Sequence, residues 1–149
     1  MSLDYDLRLC TNLNVQQIQD LVLKLARDVQ TSETPGILVG PGVTISALPE
    51  SEIGKAITAE NYGLKPTVEI NFRLNKLDQS EEGQKTAVKL SLALLATTRS
   101  DGVLLLNHDT PVLMCKAGKI MLDPGPGFWP GLPLLVGEPH SIGRLSLRK

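Results

Sequence analysis

KPTVEINFRLNKLDQSEEG (residues 65–83) joins two patterns end to end. Val68, Ile70, Phe72 and Leu74 alternate with Thr67, Glu69, Asn71, Arg73 and Asn75, the period-two signature of a strand with one apolar face. The alternation then breaks at Asp78. Asp78 and Glu81 make an Asp-x-x-Glu capping signal, and acids favour the positive end of a helix. The stretch therefore reads as a strand leading into a helix over 81–97. There Ala87, Val88, Leu90, Leu92, Leu94 and Leu95 give a broad apolar face. Arg99 and Asp101-Gly102 close it.

Working back from this stretch, Leu3, Tyr5, Leu7 and Leu9 alternate with Asp4, Asp6, Arg8 and Cys10, a second half-buried strand. Asn14 and Gln17 form a capping box. Val15, Ile18, Val22, Leu25 and Val29 then place an amphipathic helix at 15–29, ended by Pro35 and Gly36. GVTISAL (42–48) is a further strand. In 49–63, Ile53, Ala56 and Ile57 suggest one or two helical turns stopped at Gly63. Working forward, GVLLLNHDTPVLMCKAGKIMLD (102–123) predicts a meander: Val103–Leu106, a turn at Asn107, His108 and Asp109, Val112–Cys115, a turn at Ala117-Gly118, and Ile120–Leu122.

The order strand, helix, strand, strand, helix, strand predicts an α+β fold, a ferredoxin-like βαββαβ sandwich with extra C-terminal antiparallel strands. Both helices would cover one face of the sheet and leave the polar face open. Residues 1–123 form a single α+β domain on this reading, and 124–149 a Pro/Gly-rich segment packed on it. That segment carries too many prolines and glycines for a regular helix or a central strand. If the first and third strands are antiparallel neighbours, one register sets Asp4 opposite Arg73, Asp6 opposite Asn71 and Arg8 opposite Glu69. Two charge pairs then flank a neutral one on a wet face.

Composition narrows the function. With 149 residues the chain can bury roughly 70% of its unfolded surface and needs no metal or disulfide staple. Lys plus Arg is 15 against 16 Asp plus Glu, which gives no general affinity for nucleic acid. The five aromatics are too few and scattered for a base-stacking platform. The start, MSLDYDLRLC, lacks the basic flank and apolar core of a signal peptide. The most apolar run, AVKLSLALLA, is about half a membrane span. Cys10 and Cys115 make no disulfide framework, so a reduced, cytoplasmic protein is expected.

The search for chemistry finds little. Cys10 or Cys115 with His108 or His140 has no flanking nucleophile motif, and both read as small strand residues, Cys115 partly exposed. His108 reads as a solvated residue of a hairpin tip. The histidines and cysteines show no metal-ligand spacing, so no metal or cofactor is expected. GILVGPGV (36–43) and DPGPG (123–127) lack the Gly-Lys-Ser/Thr ending of a phosphate loop and read as turns. Glu81 and Glu82 read as helix-start charges rather than an acid/base pair. No catalytic residue is assigned.

Residues 63–122 resemble a known family. GLKPTVEINFRLNKL, the acidic SEEG, the Leu-rich helix, DGVLLLNHDTPVLM, the basic KAGKIML and the following Phe128-Trp129 resemble the immunity proteins of the myxobacterial swarming-inhibition toxin system, the third type of the Sit immunity family. The matching pieces are the PTVxxxFRLxK strand and the DxVLLxN…VLxxxxGxxxL hairpin. The resemblance implies a small bacterial cytoplasmic protein that protects its cell by binding a protein toxin without catalysis. The alternatives are another interaction or regulatory domain, such as a homodimer through the sheet, and a small-ligand enzyme. For the partner-binding surface the sequence offers Phe128, Trp129, Asn107, His108 and Asp109. Side by side in extended chain, Phe128 and Trp129 would point in opposite directions, one ring buried and the other exposed.

Overall fold

A computed structural model of the chain describes residues 3–74, 80–137 and 139–145. Among them the class is α+β: nine strands in one sheet, with four helices. In chain order the elements are β1 (Asp4–Cys10), α1 (Val15–Leu25), β2 (Gln30–Thr31), β3 (Ile37–Gly40), β4 (Val43–Pro49), α2 (Glu52–Tyr62), β5 (Val68–Leu74), α3 (Ser80–Thr98), β6 (Asp101–Leu106), β7 (Thr110–Lys116), β8 (Lys119–Leu122), α4 (Leu132–Val136) and β9 (His140–Ile142). The sheet order is β2-β3-β4-β5-β1-β6-β7-β8-β9. Neighbours are antiparallel except β8 and β9, which are parallel.

The register at the centre is the one the side chains ask for. Asp4 faces Arg73, Asp6 faces Asn71 and Arg8 faces Glu69. A slip of one residue would send Leu7, Ile70 and Phe72 to the polar side, so the apolar row holds it. That row meets α1 and α3 in the main core. Leu7, Ile70, Phe72 and Ile18 are all fully buried there, with Val22 and Leu95 beside them and Leu25 and Leu92 at its margin.

The starts of α1 and α2 each have a side-chain reason. The Asn14–Gln17 capping box closes the first turn of α1. Ser51 Oγ accepts from Gly54 N at 2.9 Å to start α2, and Gly63 ends it in the left-handed region at φ 70°. Asp78, the residue proposed to cap α3, lies outside the described residues.

Several expectations are corrected. Helix α1 stops at Leu25 instead of 29. Val29 reaches the core from the following turn, closed by Val29 N to Ala26 O at 3.2 Å. Within 36–43, read above as a turn, Ile37–Gly40 pairs with β4 and with the two residues of β2, so only Pro41-Gly42 turns the chain. The Pro/Gly-rich segment holds one short helix. Pro133 stands in the first turn of α4, where no intrahelical N–H is needed, and Gly137 closes the helix at φ 68°. It also supplies β9, an edge strand. Asp123 ties the segment down: its carboxylate accepts from Gly125 N at 2.7 Å and from Leu145 N at 3.1 Å.

The largest correction concerns the polar face. It is covered where it was expected to be wet. Helix α2 has three turns and lies on the side opposite α1 and α3, with Gly54, Thr58 and Tyr62 turned inward and Ile53 and Ile57 outward. It faces a charged row, so its inward residues are small or hydrogen-bonding rather than aliphatic. Tyr62 and Leu64 join Val103, Leu105 and Leu145 in a second, smaller apolar cluster on this side. Asp6 is fully buried, and Asp4 and Arg8 nearly so.

Candidate functional site

The strip of charge beneath α2 and the β6–β7 turn is the densest polar constellation among the described residues. Strand β1 supplies Asp4, Asp6 and Arg8, which alternation sends to one face. Strand β5 sets Arg73, Asn71 and Glu69 opposite them, and the corner between β4 and α2 brings in Glu50. Arg8 Nη1 donates to Thr58 Oγ1 at 2.8 Å and to the Gly54 carbonyl at 3.3 Å, and Arg8 Nε lies 3.5 Å from Glu50 Oε1. A Cβ at Gly54 would stand 2.8 Å from Glu50 Oε2, so a side chain there would displace that carboxylate. At the other end Arg73 Nε donates to Asp4 Oδ1 at 3.1 Å, and in the middle Asn71 Nδ2 donates to Asp6 Oδ1 at 2.7 Å.

His108 completes the strip from above. Asn107 and His108 are the central residues of the β6–β7 turn and both have left-handed φ, 52° and 71°. The turn is stapled to β1: Asn107 N donates to the Asp4 carbonyl at 2.7 Å, and Asp4 N donates to Asn107 Oδ1 at 3.1 Å. This corrects the reading of His108 as a solvated tip residue. Its ring folds back, Nδ1 against Asp6 Oδ2 and Nε2 3.9 Å from Asp4 Oδ2, with about half of the side chain still exposed.

The electrostatics follow from burial. Burial pushes the Asp6 carboxyl up to about 6; neighbouring Glu69 adds to this, while Asn71 and His108 oppose it. Burial likewise pushes Glu50 up to about 7, with Glu69 raising it and Arg8 holding it down. Glu69 thus stands between two crowded acids.

The other residues singled out by sequence are placed as follows. Phe128 and Trp129 are both half-buried against the main core, so the expected split into one buried and one exposed ring does not occur. The reason is backbone shape: tight turns flank the pair (Phe128 N to Gly125 O, Leu132 N to Trp129 O, both 3.0 Å), and the chain is not extended. Trp129 lines a cleft with Glu81, Gln84 and Leu135 on the α3 side, whereas His108 lies on the opposite face. The structure therefore brings Asn107, His108 and Asp109 together at one exposed tip, and Phe128 and Trp129 elsewhere. Cys115 is buried rather than partly exposed, and His140 sits in β9. Cys10 opens on a cleft of about 470 Å³ beside Thr11, Leu21 and Arg99, but burial raises its thiol, which keeps it protonated. Asp6 and Glu69 escaped as site residues because alternation presented them as exposed positions, and Glu50 because it sits in the corner between β4 and α2.

The SitI3-like family model matches residues 3–133. The chain belongs to the SitI3-like family. The match runs from β1 into α4, so the first sixty residues belong to the family unit as much as the strand and hairpin of 63–122. No curated protein and no solved structure matches the SitI3-like chain. Among its described residues no helix is long and apolar enough to cross a membrane.

Proposed function

We propose that this SitI3-like chain is an immunity protein that neutralises a cognate bacterial toxin in the cytoplasm by non-catalytic protein–protein binding. Family membership over residues 3–133 is the observation that carries the reading. The strand order β4-β5-β1-β6 with α1 and α3 supports a ferredoxin-like kernel, to which the remaining strands are added. For the contact surface we favour the β6–β7 tip, Asn107, His108 and Asp109, with Phe128 and Trp129 as a second patch. The tip is exposed, yet its backbone is pinned to β1, so docking there costs little ordering entropy.

The test is co-expression with any toxin domain that a neighbouring gene proves to encode. Expected are protection of growth in proportion to the amount of the chain, a stoichiometric complex, and an intact toxin recovered from that complex after denaturation. Protection at a small fraction of the toxin concentration, or a chemically altered toxin, would overturn the non-catalytic reading. A second reading, self-association through the sheet, is favoured by Val39 and Leu48, exposed on the wing that α2 leaves uncovered. Sedimentation of the isolated chain separates the two.

A further inference from the structure

We propose that Asp6, Glu69 and His108 form a binding site for a divalent transition-metal ion of the zinc class. One donor atom of each lies within 4.8 Å of the other two. Donors around such an ion, each about 2.1 Å from it, stand about 3 to 4 Å apart. Glu69 is half-buried and His108 exposed, so both side chains have solvent on one side into which to rotate toward that spacing.

Three further observations point to a ligand. Asp6 is fully buried, and its Oδ2 accepts no hydrogen bond although it has no access to water. Oδ2 lies against His108 Nδ1, and two such lone-pair atoms meet through a bridging cation, a proton or a metal. Next, two of the three ligands have a neighbour behind them. Asn71 holds Asp6 Oδ1 at 2.7 Å and leaves Oδ2 for the site. Asp4 stands 3.9 Å from His108 Nε2, on the side where a metal-bound imidazole ordinarily directs its N–H toward a carboxylate. Last, charge favours a dication. The carboxylates Asp4, Asp6, Glu50 and Glu69 crowd into a strip whose guanidiniums, Arg8 and Arg73, already pair with Glu50 and Asp4. Asp6 and Glu69 would neutralise a dication between them.

One imidazole with two carboxylates suits zinc, cobalt, manganese or iron rather than magnesium or calcium, which take oxygen ligands. Three protein ligands leave at least one coordination position open toward solvent on the His108 side. Such an ion would join β1, β5 and the β6–β7 turn at one point. The proposal is independent of the toxin reading, because the purified chain suffices to test it.

The experiment titrates Zn²⁺ and Co²⁺ into untagged, chelator-treated full-length chain by calorimetry, with visible absorption for Co²⁺. One saturable equivalent is expected, with d–d bands of a site holding nitrogen and oxygen ligands. His108→Ala and Glu69→Gln should each weaken binding about tenfold or more, while His140→Ala should leave it unchanged. Both ligand variants alter side chains with solvent access, and circular dichroism checks their fold. Asn71→Ala should weaken binding by about 10- to 100-fold through loss of Asp6 orientation. Absence of saturable uptake by the wild type, meaning that a proton alone fills the gap, would overturn the proposal. Equal affinity in His108→Ala and Glu69→Gln, or a loss in His140→Ala, would overturn it as well.

Discussion

Glu50 meets Arg8 beneath α2, Oε1 to Nε at 3.5 Å, with both side chains at least nine-tenths buried. Arg8 Nη1 donates to α2, at Thr58 Oγ1 and the Gly54 carbonyl. Removing one partner of such a pair strands the other without solvent. Arg8→Ala should therefore cost about 3–5 kcal/mol of folding stability. The double variant Arg8→Met, Glu50→Gln should cost clearly less. Denaturant titration measures both, and a loss below about 1 kcal/mol for Arg8→Ala would mean that water reaches Glu50.

The raised Glu50 carboxyl gives stability a pH dependence of definite sign. Its ordinary value is 4.5, and in the fold it rises to about 7 because it is buried. Between those values the folded state holds the proton more tightly than the unfolded chain. Its contribution is therefore complete below about 4.5 and lost as pH rises toward 7. Asp6, raised from 3.8 to about 6, acts the same way over a lower window. With chelator present, Glu50→Gln should gain stability relative to wild type as pH climbs from 4.5 to 7. Parallel curves for the two proteins across that window would refute the assignment.

Phe72 lies fully buried where β5 meets α3. Phe72→Ala should cost about 3–5 kcal/mol, the transfer term plus the cavity left behind. Equilibrium unfolding in urea checks this, and a change under about 1 kcal/mol would contradict the burial.

At the β6–β7 tip Asp109 is exposed and bonds only locally among the described contacts, accepting from Thr110 Oγ1 at 3.1 Å. Asp109→Lys should leave the melting temperature nearly unchanged. If the toxin docks there, the reversal should weaken the complex by more than about 1 kcal/mol. Unchanged affinity by surface plasmon resonance would move the interface away from the hairpin.

The apolar half of this architecture was legible in the sequence and the polar half was not. Alternation in Val68–Leu74 and Tyr5–Leu9 fixes which side chains share a face, and the Asp4–Arg73 and Arg8–Glu69 pairings follow from charge. Periodicity does not tell whether the polar face of a strand meets water or another element. Helix α2 was read as one or two turns ending at Gly63, but on the wrong face: Ile53 and Ile57 point outward, and the inward Gly54 and Thr58 answer to Arg8 and Glu50 rather than to oil. Strand β3 hid because its four residues end in Gly40 and lie between Gly36 and Pro41-Gly42. The Asp6–Glu69–His108 constellation was illegible for another reason. Its members lie far apart in the chain and meet only through the β1–β5 register and a backbone turn with two left-handed residues.

Among the described residues the two rims of the sheet are stunted. Only Gln30 and Thr31 form one outermost strand, and His140–Ile142 the other. A run of two or three residues offers too few unpaired amides and carbonyls to template a further strand. The molecule can therefore sit at high concentration beside its own copies without zipping into ribbons. A visitor that expects to extend the ladder finds no rung of useful length, so recognition falls to side chains on faces and tips, where one substitution can change the choice of partner while the scaffold stays intact.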